Sequence, residues 1–311
     1  MLETIVVGVD GREGGRDALS LAARLAEMSG ASLVAVRNLP FNYYASRSGS
    51  PPFAKLSQED ARAEIAEEVA SAGLAARVRV LGDSSPARAL HRVAEEEGAG
   101  LIVVGSTRRG LAGRVLAGDH AVGTLHASPC PVAVAPVGFA GREWPAMTRI
   151  GVGFDGRSES RHALDFAVAL ARGCDATIKV RSVIGSPLTE REDAVYDPDW
   201  LRQARACATD ELAEALRGID ADITGRVVAG VTVDALADFS AHVDLLVIGS
   251  RAWGPLRRVL VGSTAARLTR EAHCPLLVLP RSAATGEPAE REAAVADGTP
   301  VVAARPAAGG A

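Results

Sequence analysis

The chain repeats itself. Ile5-Val6-Val7-Gly8-Val9-Asp10-Gly11 returns as Ile150-Gly151-Val152-Gly153-Phe154-Asp155-Gly156, and Ala31-Ser32-Leu33 returns as Ala176-Thr177-Ile178, both 145 positions later. Leu101-Ile102-Val103-Val104-Gly105-Ser106 returns as Leu245-Leu246-Val247-Ile248-Gly249-Ser250, and Cys130-Pro131-Val132-Ala133-Val134-Ala135-Pro136 as Cys274-Pro275-Leu276-Leu277-Val278-Leu279-Pro280, both 144 positions later. Matching blocks in one order at a nearly constant offset mark a tandem duplication, so the chain must solve one folding problem twice. Its 311 residues fit two units of roughly 150.

Each half alternates short apolar runs with helical stripes. In the first half Ile5–Val9 reads as a buried strand ended by Asp-Gly. Residues 14–29 carry Ala18, Leu19, Ala22, Leu25 and Ala26 on one helical face, with Gly30 as the stop. Strands follow at Leu33–Val36, Val78–Leu81, Leu101–Val104 and Val132–Ala135, with helices at Gln58–Ala72, Pro86–Glu97 and Gly118–Ala127. Residues 41–57 read as loop. The second half repeats the plan. Such alternation predicts α/β domains, each an open parallel sheet with helices on both faces. The divisions expected are residues 1–138, a linker at 139–147, residues 148–281, and a disordered tail at 282–311, rich in Ala, Glu, Gly and Pro without apolar period.

Composition excludes several classes. A net charge of −4 rules out an overall basic footprint for nucleic acid or an anionic membrane. No run reaches 18 apolar residues, so no membrane span is expected, and Met1-Leu2-Glu3-Thr4 does not read as a secretory signal. Cys130, Cys174, Cys207 and Cys274 lack the paired spacing of a zinc site or disulfide framework; they read as reduced, mostly buried thiols of a cytoplasmic protein. The six histidines have no partners at metal spacing, and no metal site is expected. Ser84 and Ser85 lack a supporting His and Asp, and no G-x-S-x-G elbow occurs.

Ligands of an open parallel sheet bind beyond the carboxyl ends of its strands. Two loops per half leave such ends: Asp10-Gly11 and Asp155-Gly156 after the first strand, and the Gly-rich turns 105–119 and 249–263 after the fourth. Glycines let the backbone approach an anion, and the helix beginning at Gly118 or Gly262 turns its positive end toward it. Neither turn is the G-x-x-x-x-G-K-[ST] loop.

The duplication, the V-G-V-D-G opening, the Gly-Ser turn and the closing Cys-Pro strand together resemble a tandem universal stress protein, over residues 3–136 and 148–280. The resemblance implies a five-stranded sheet in the order 3-2-1-4-5 per domain. It implies a stress-response regulator whose ATP-binding members carry G-x2-G-x9-G-[ST] after strand four. Such members hold adenine between the Asp after strand one and the backbone of strand two. Onto this chain those roles carry as Asp10, Gly105, Arg108 and Gly118 in the first half, with Arg108 in place of the second glycine, Asp119 in place of Ser/Thr, and Asn38 at the strand-two position. In the second half they carry as Asp155, Val183, Gly249, Ala252, Gly262 and Ser263, with Ala252 in place of the second glycine. No motif calls for magnesium. The resemblance also implies that the last strands of the two domains pair, giving an internal pseudo-dimer, with homodimerisation open; nucleotide is the expected partner, and nucleic acid and membrane are not.

Charge ranks the halves. Asp119, read as capping its own helix, occupies the anion-favouring end and repels phosphate, whereas Ser263 is neutral and donates a hydrogen bond. The second half is therefore the expected nucleotide site. Asp10 and Asp155 also suit simple turn closure. Arg108, Arg109, Arg114, Arg257 and Arg258 suit a solvated loop face, and Trp253 suits loop packing. The signatures S-G-G-x-D-S and H-x-G-H of related nucleotide enzymes are missing after strand one, so no catalytic activity is assigned. A scaffold without nucleotide, and slow ATP hydrolysis, remain alternatives.

Overall fold

The structure is a computed structural model, which describes residues 2–40, 58–107, 111–141, 147–185, 198–250 and 262–280. The first half contains β1 (Thr4–Gly8), α1 (Glu13–Ser29), β2 (Ser32–Pro40), α2 (Gln58–Ser71), β3 (Ala76–Asp83), α3 (Pro86–Glu96), β4 (Leu101–Gly105), α4 (Asp119–Leu125) and β5 (Val132–Ala135). The second contains β6 (Arg149–Phe154), α5 (Ser158–Ala171), β7 (Thr177–Gly185), α6 (Pro198–Leu216), β8 (Ile223–Gly230), α7 (Thr232–Ser240), β9 (Leu245–Gly249), α8 (Ser263–Glu271) and β10 (Leu276–Leu279).

The strands form one sheet in the order β3-β2-β1-β4-β5-β10-β9-β6-β7-β8. Within each half every pairing is parallel and the order is 3-2-1-4-5. At the seam β5 and β10 run antiparallel, with Val134 opposite Leu276 and Val132 opposite Val278. Alternate side chains feed two cores. Ile5, Val7, Ala133 and Leu277 face α1, α2, α5 and α6, while Val6, Ile102, Val134 and Leu276 face α3, α4, α7 and α8. Both cores run unbroken across the seam, so the short closing strands are buried on both faces.

Local chemistry explains where elements stop. Gly30, at φ +73°, ends α1 in the left-handed conformation, and its N–H donates to the carbonyl of Ala26. The second strand runs past Val36 to Pro40, because the Asn38 amide bonds both the N–H and the carbonyl of Asp83 and so extends the β2–β3 ladder. The helix expected at Gly118–Ala127 is shorter: Gly118 is the N-cap and Ala127 takes φ +61°. Asp119 is thus the first helical residue, exposed, and makes no cap bond, contrary to the capping role expected of it. The thiols also differ from expectation: Cys130 and Cys274 are buried, Cys174 is half-buried and Cys207 is exposed. The loop at 41–57 and the tail at 282–311 lie outside the described residues.

Two clasps hold the chain beyond the sheet, the second of them between the halves. The buried Asp17 carboxylate accepts the N–H groups of Gly138 (2.9 Å) and Ala140 (2.8 Å), fixing the chain as it leaves β5. The N–H groups of Val115 and Ala117, in the first half's turn after β4, donate to the carbonyls of Ala272 and Thr269 (2.8 Å each) at the end of α8. Those carbonyls have no partner within the helix, so the first half satisfies the second half's helix terminus.

Candidate functional site

The strand exits of the second half open on a cavity of about 570 Å³. It reaches from the start of α8, at Gly262 and Ser263, to Val183 on β7, passing Asp155 and Gly249. Five of the six second-half residues singled out by the sequence therefore line one cavity. Ala252, like Arg108, Arg109, Trp253, Arg257 and Arg258, lies outside the described residues.

Each wall has a local cause. Gly156, at φ +78°, turns the chain after β6, and Asp155 accepts the N–H of Arg157 at 3.1 Å. Asp10 does the same with Arg12 at 3.1 Å, before Gly11 at φ +74°. Both aspartates thus close an Asx turn; Asp155 in addition presents its largely exposed carboxylate to the cavity. Gly249 ends β9 where a Cβ would stand 2.7 Å from the backbone of Glu159. Gly105 is tighter: its Cβ would stand 1.9 Å from the carbonyl oxygen of Gly14. The sequence suggests that these two glycines give an anion access. Their first task in the fold is to let the opening helix of each half press on the end of the fourth strand.

The far wall is Gly262, buried and extended at φ −72°, ψ 169°, as the N-cap of α8. No side chain among the described residues caps this helix, and its first residues, Gly262 to Ala265, line the cavity with its positive end. The nine-residue α8 presents a fuller dipole than the seven-residue α4, whose first turn also carries Asp119.

Three further lining residues belong to no sequence motif. Arg181 on β7 stacks its guanidinium 4.6 Å above the Phe239 ring, and its buried Nε has no hydrogen-bond partner among the described residues. Burial, and secondarily the like charge of Arg226 across the ladder, lowers its pKa from the ordinary value, though a guanidinium stays charged. Ser250 is only 8% exposed, and its Oγ likewise lacks a partner among the described residues. An orphaned buried polar group costs about 1–3 kcal/mol, and both residues line the cavity. Glu159 places a buried carboxylate, held by the Ser158 hydroxyl at 3.1 Å, on the same wall. A signal is present in the repeat: at the 145-residue offset, Arg181 replaces Val36 and Glu159 replaces Gly14.

In the first half the corresponding polar groups are spent internally. Ser106 donates to the carbonyl of Ala135 (2.6 Å) and accepts the N–H of Leu116 (3.1 Å). Asn38, the counterpart of Val183, is bound to Asp83, and Val36 is buried. Asp10, Gly105 and Gly118 occupy their expected strand and helix ends, but Gly118 packs against Thr107, whose N–H bonds the Leu116 carbonyl. Among the described residues no group of three His, Cys, Asp or Glu is placed to hold a metal, and no helix is long and apolar enough to cross a membrane.

The family model of universal stress proteins matches residues 1–136 and 147–280. Universal stress proteins of Mycobacterium tuberculosis and Mycobacterium bovis are 30% identical over 299 residues, spanning 89% of this chain and 99% of each relative. The fold is similar to that of a universal stress protein from Archaeoglobus fulgidus, with a TM-score of 0.61 at 17% identity over 90% of this chain and 98% of that one. A Pseudomonas aeruginosa structure gives the same score at 20% identity, over 90% of this chain and 94% of its own.

Proposed function

The chain belongs to the universal stress protein family, and from that premise we propose that it is a nucleotide-responsive regulatory protein, holding a nucleoside phosphate such as ATP in the cavity of its second half. The observation that carries this reading is the cavity itself: about 570 Å³, within the usual range for small ligands, with a helix N-terminus at one end that no side chain caps among the described residues, and lined by Arg181 and Ser250, each with a buried polar atom that has no partner among them. The first N–H groups of α8, with the Ser263 hydroxyl, take the phosphates. Asp155 and the backbone at Val183 take the ribose and base side. No general base is assigned, and the role is binding rather than catalysis.

The two halves act as an internal pseudo-dimer, a reading supported by the antiparallel ladder of β5 with β10. The Val115 and Ala117 bonds to α8 carry the response: nucleotide at the start of that helix stabilises its placement, and its end is held by the first half. A partner reads the resulting arrangement. Four free thiols support a reducing compartment, the cytoplasm.

Isothermal titration with ATP and ADP, with mass spectrometry of nucleotide retained through purification, tests this reading. Saturable heat abolished by Gly262→Asp supports it. No heat and no retained nucleotide would leave a scaffold built on the paired sheets.

A further inference from the structure

We propose that the chain continuing beyond β10 docks back on α5, where one backbone N–H of residues 282–284 donates to Nδ1 of His162 and Ala283 covers the Phe166 ring. The inference concerns the root of the tail and does not depend on any ligand.

The first half shows such a clasp complete. Asp17, Leu21 and Arg24 follow one another at four and three residues along α1, so they share one helical face. The chain leaving β5 lies along that face. Asp17 accepts the N–H groups of Gly138 and Ala140, and the Arg24 guanidinium stands 5.9 Å from the ring centre of Phe139. Asp17, Leu21 and Phe139 are all buried. At the 145-residue offset the same face of α5 carries His162, Phe166 and Ala169. Among the described residues this face is open: His162 and Phe166 are half-buried and Ala169 is exposed. The buried Nδ1 of His162 has no hydrogen-bond partner among them. An unused polar atom therefore stands at the repeat position of the Asp17 carboxylate.

Three points name the occupant. The first is connectivity. The helix α5 packs against β10 as α1 packs against β5, and Pro280, directly after β10, is buried. Ser282, Ala283 and Ala284 answer to Gly138, Phe139 and Ala140 at the 144-residue offset. Ser282 is two residues beyond Pro280, a reach of about 7 Å, so no second molecule has to be brought to the face. The second is volume. In the first half Phe139 on the returning segment shares a core with Leu21 on the helix. The second half reverses the sizes, with Phe166 on the helix and Ala283 in the segment. The third is the number of donors. A carboxylate has two oxygens and takes two N–H groups here, whereas a neutral imidazole has one acceptor nitrogen. Gly138 makes its turn at φ +74°, which Ser282 disfavours, so a single bond suits the second half. Since β10 runs parallel to β9, the clasp lies at the carboxyl edge on which the second-half cavity opens.

Amide hydrogen exchange of the full chain, read by mass spectrometry, tests the clasp together with hydroxyl-radical footprinting of Phe166. Relative to unstructured-peptide rates, the amides of residues 282–284 are expected to exchange at least about tenfold slower than those of residues 293–299 farther along the tail. His162→Ala is expected to abolish that protection, and His162→Gln, which keeps an acceptor, to retain most of it. Ala283→Asp sets a charge against the Phe166 ring and is expected to raise the ring's oxidation rate several-fold. Thermal melting confirms that each variant folds, and Ala283→Asp keeps the test decisive should His162→Ala not fold. Exchange at residues 282–284 as fast as at 293–299, protection unchanged in His162→Ala, or Phe166 oxidation unchanged in Ala283→Asp overturns the inference. Shielding of Phe166 that falls on dilution assigns the face to a second copy of the chain and overturns it as well.

Discussion

Gly105→Ala tests whether the glycine after the fourth strand is there for packing. The new methyl would lie 1.9 Å from the Gly14 carbonyl oxygen, 2.5 Å from its carbonyl carbon and 2.9 Å from its Cα. Ordinary contact begins near 3.4 Å, so β4 and the first turn of α1 must part by about 1.5 Å. Both partners are backbone, and Gly14 in turn lies against the Ser106 carbonyl, so no rotamer change relieves the clash. Overpacking of buried sites typically costs about 1–3 kcal/mol, and a backbone collision belongs at the top of that range, ~3 kcal/mol. For a unit of this size that lowers the melting temperature by roughly 6–12 °C. Two controls share the substitution without the collision. Gly82 has open space around it, so Gly82→Ala is expected to melt with the natural protein. Gly118 approaches only the Thr107 side chain, at 3.2 Å, so Gly118→Ala is expected to cost less than about 1 kcal/mol. Differential scanning calorimetry of the three variants decides the matter. A Gly105→Ala protein melting within about 2 °C of the natural one would refute the packing account.

Further outcomes follow from the same geometry. A carboxylate at position 262 faces the phosphates, where two charges about 5 Å apart repel by roughly 3 kcal/mol at an effective dielectric of about 20; Gly262→Asp should weaken ATP binding at least about tenfold by titration, while Asp119→Ser leaves it unchanged or improves it. Burial pushes the Cys130 thiol up to about 12 and raises Cys274 as well, so iodoacetamide at about pH 8 should label exposed Cys207 in the native protein but reach Cys130 and Cys274 only after denaturation, as read by peptide mass spectrometry. The Asp83 carboxylate is held below its ordinary 3.8, first by the Ser85 N–H and then by Arg88 and Arg92. Its stabilisation is therefore complete above that pH and lost as pH falls through the lower folded value, so Asp83→Asn should flatten the acid limb of stability against pH in denaturant melts. Asp17→Ala strands the N–H groups of Gly138 and Ala140 and should cost about 2 kcal/mol in the same assay.

The architecture is legible because burial writes itself into short apolar runs. Val132–Ala135 is buried on both faces, and its four consecutive apolar residues state as much. Strand order within each half comes from resemblance, since periodicity carries no information about neighbours. The second-half cavity is legible at Asp155, Val183, Gly249, Gly262 and Ser263, where a turn, a strand end and a helix start can each be placed from the sequence. Arg181 is not, because a charge inside the run Ile178–Val183 passes for a solvated strand position until the cavity beside it is seen. Gly105 misleads for a different reason. A glycine that admits an anion and a glycine that admits a helix backbone look the same in one dimension, and only the 1.9 Å approach to Gly14 separates them.

The two copies have diverged along one axis, from ligand toward self. The polar groups that a strand-exit site would use are turned inward in the first half: Ser106 onto Ala135 and Leu116, Asn38 onto Asp83, and the turn after β4 onto the end of α8. The second half keeps Ser250, the match of Ser106, without a partner among the described residues, and adds the equally unpartnered Arg181 where the first half has Val36. Satisfying a buried polar atom internally and reserving it for a ligand are exclusive uses of the same atom. A duplicated domain can divide them, one copy gaining stability from closure while the other bears the cost of an open site. The division also has a direction, because the closed copy's turn holds the very helix whose opposite end borders the open cavity. Loosening that hold should therefore weaken nucleotide binding from a helix length away. Val115→Pro removes one of the two N–H donors and leaves the cavity walls untouched. A several-fold loss of ATP affinity in a folded Val115→Pro protein is the expected result, and an unchanged affinity would show that the two halves share a sheet without sharing a response.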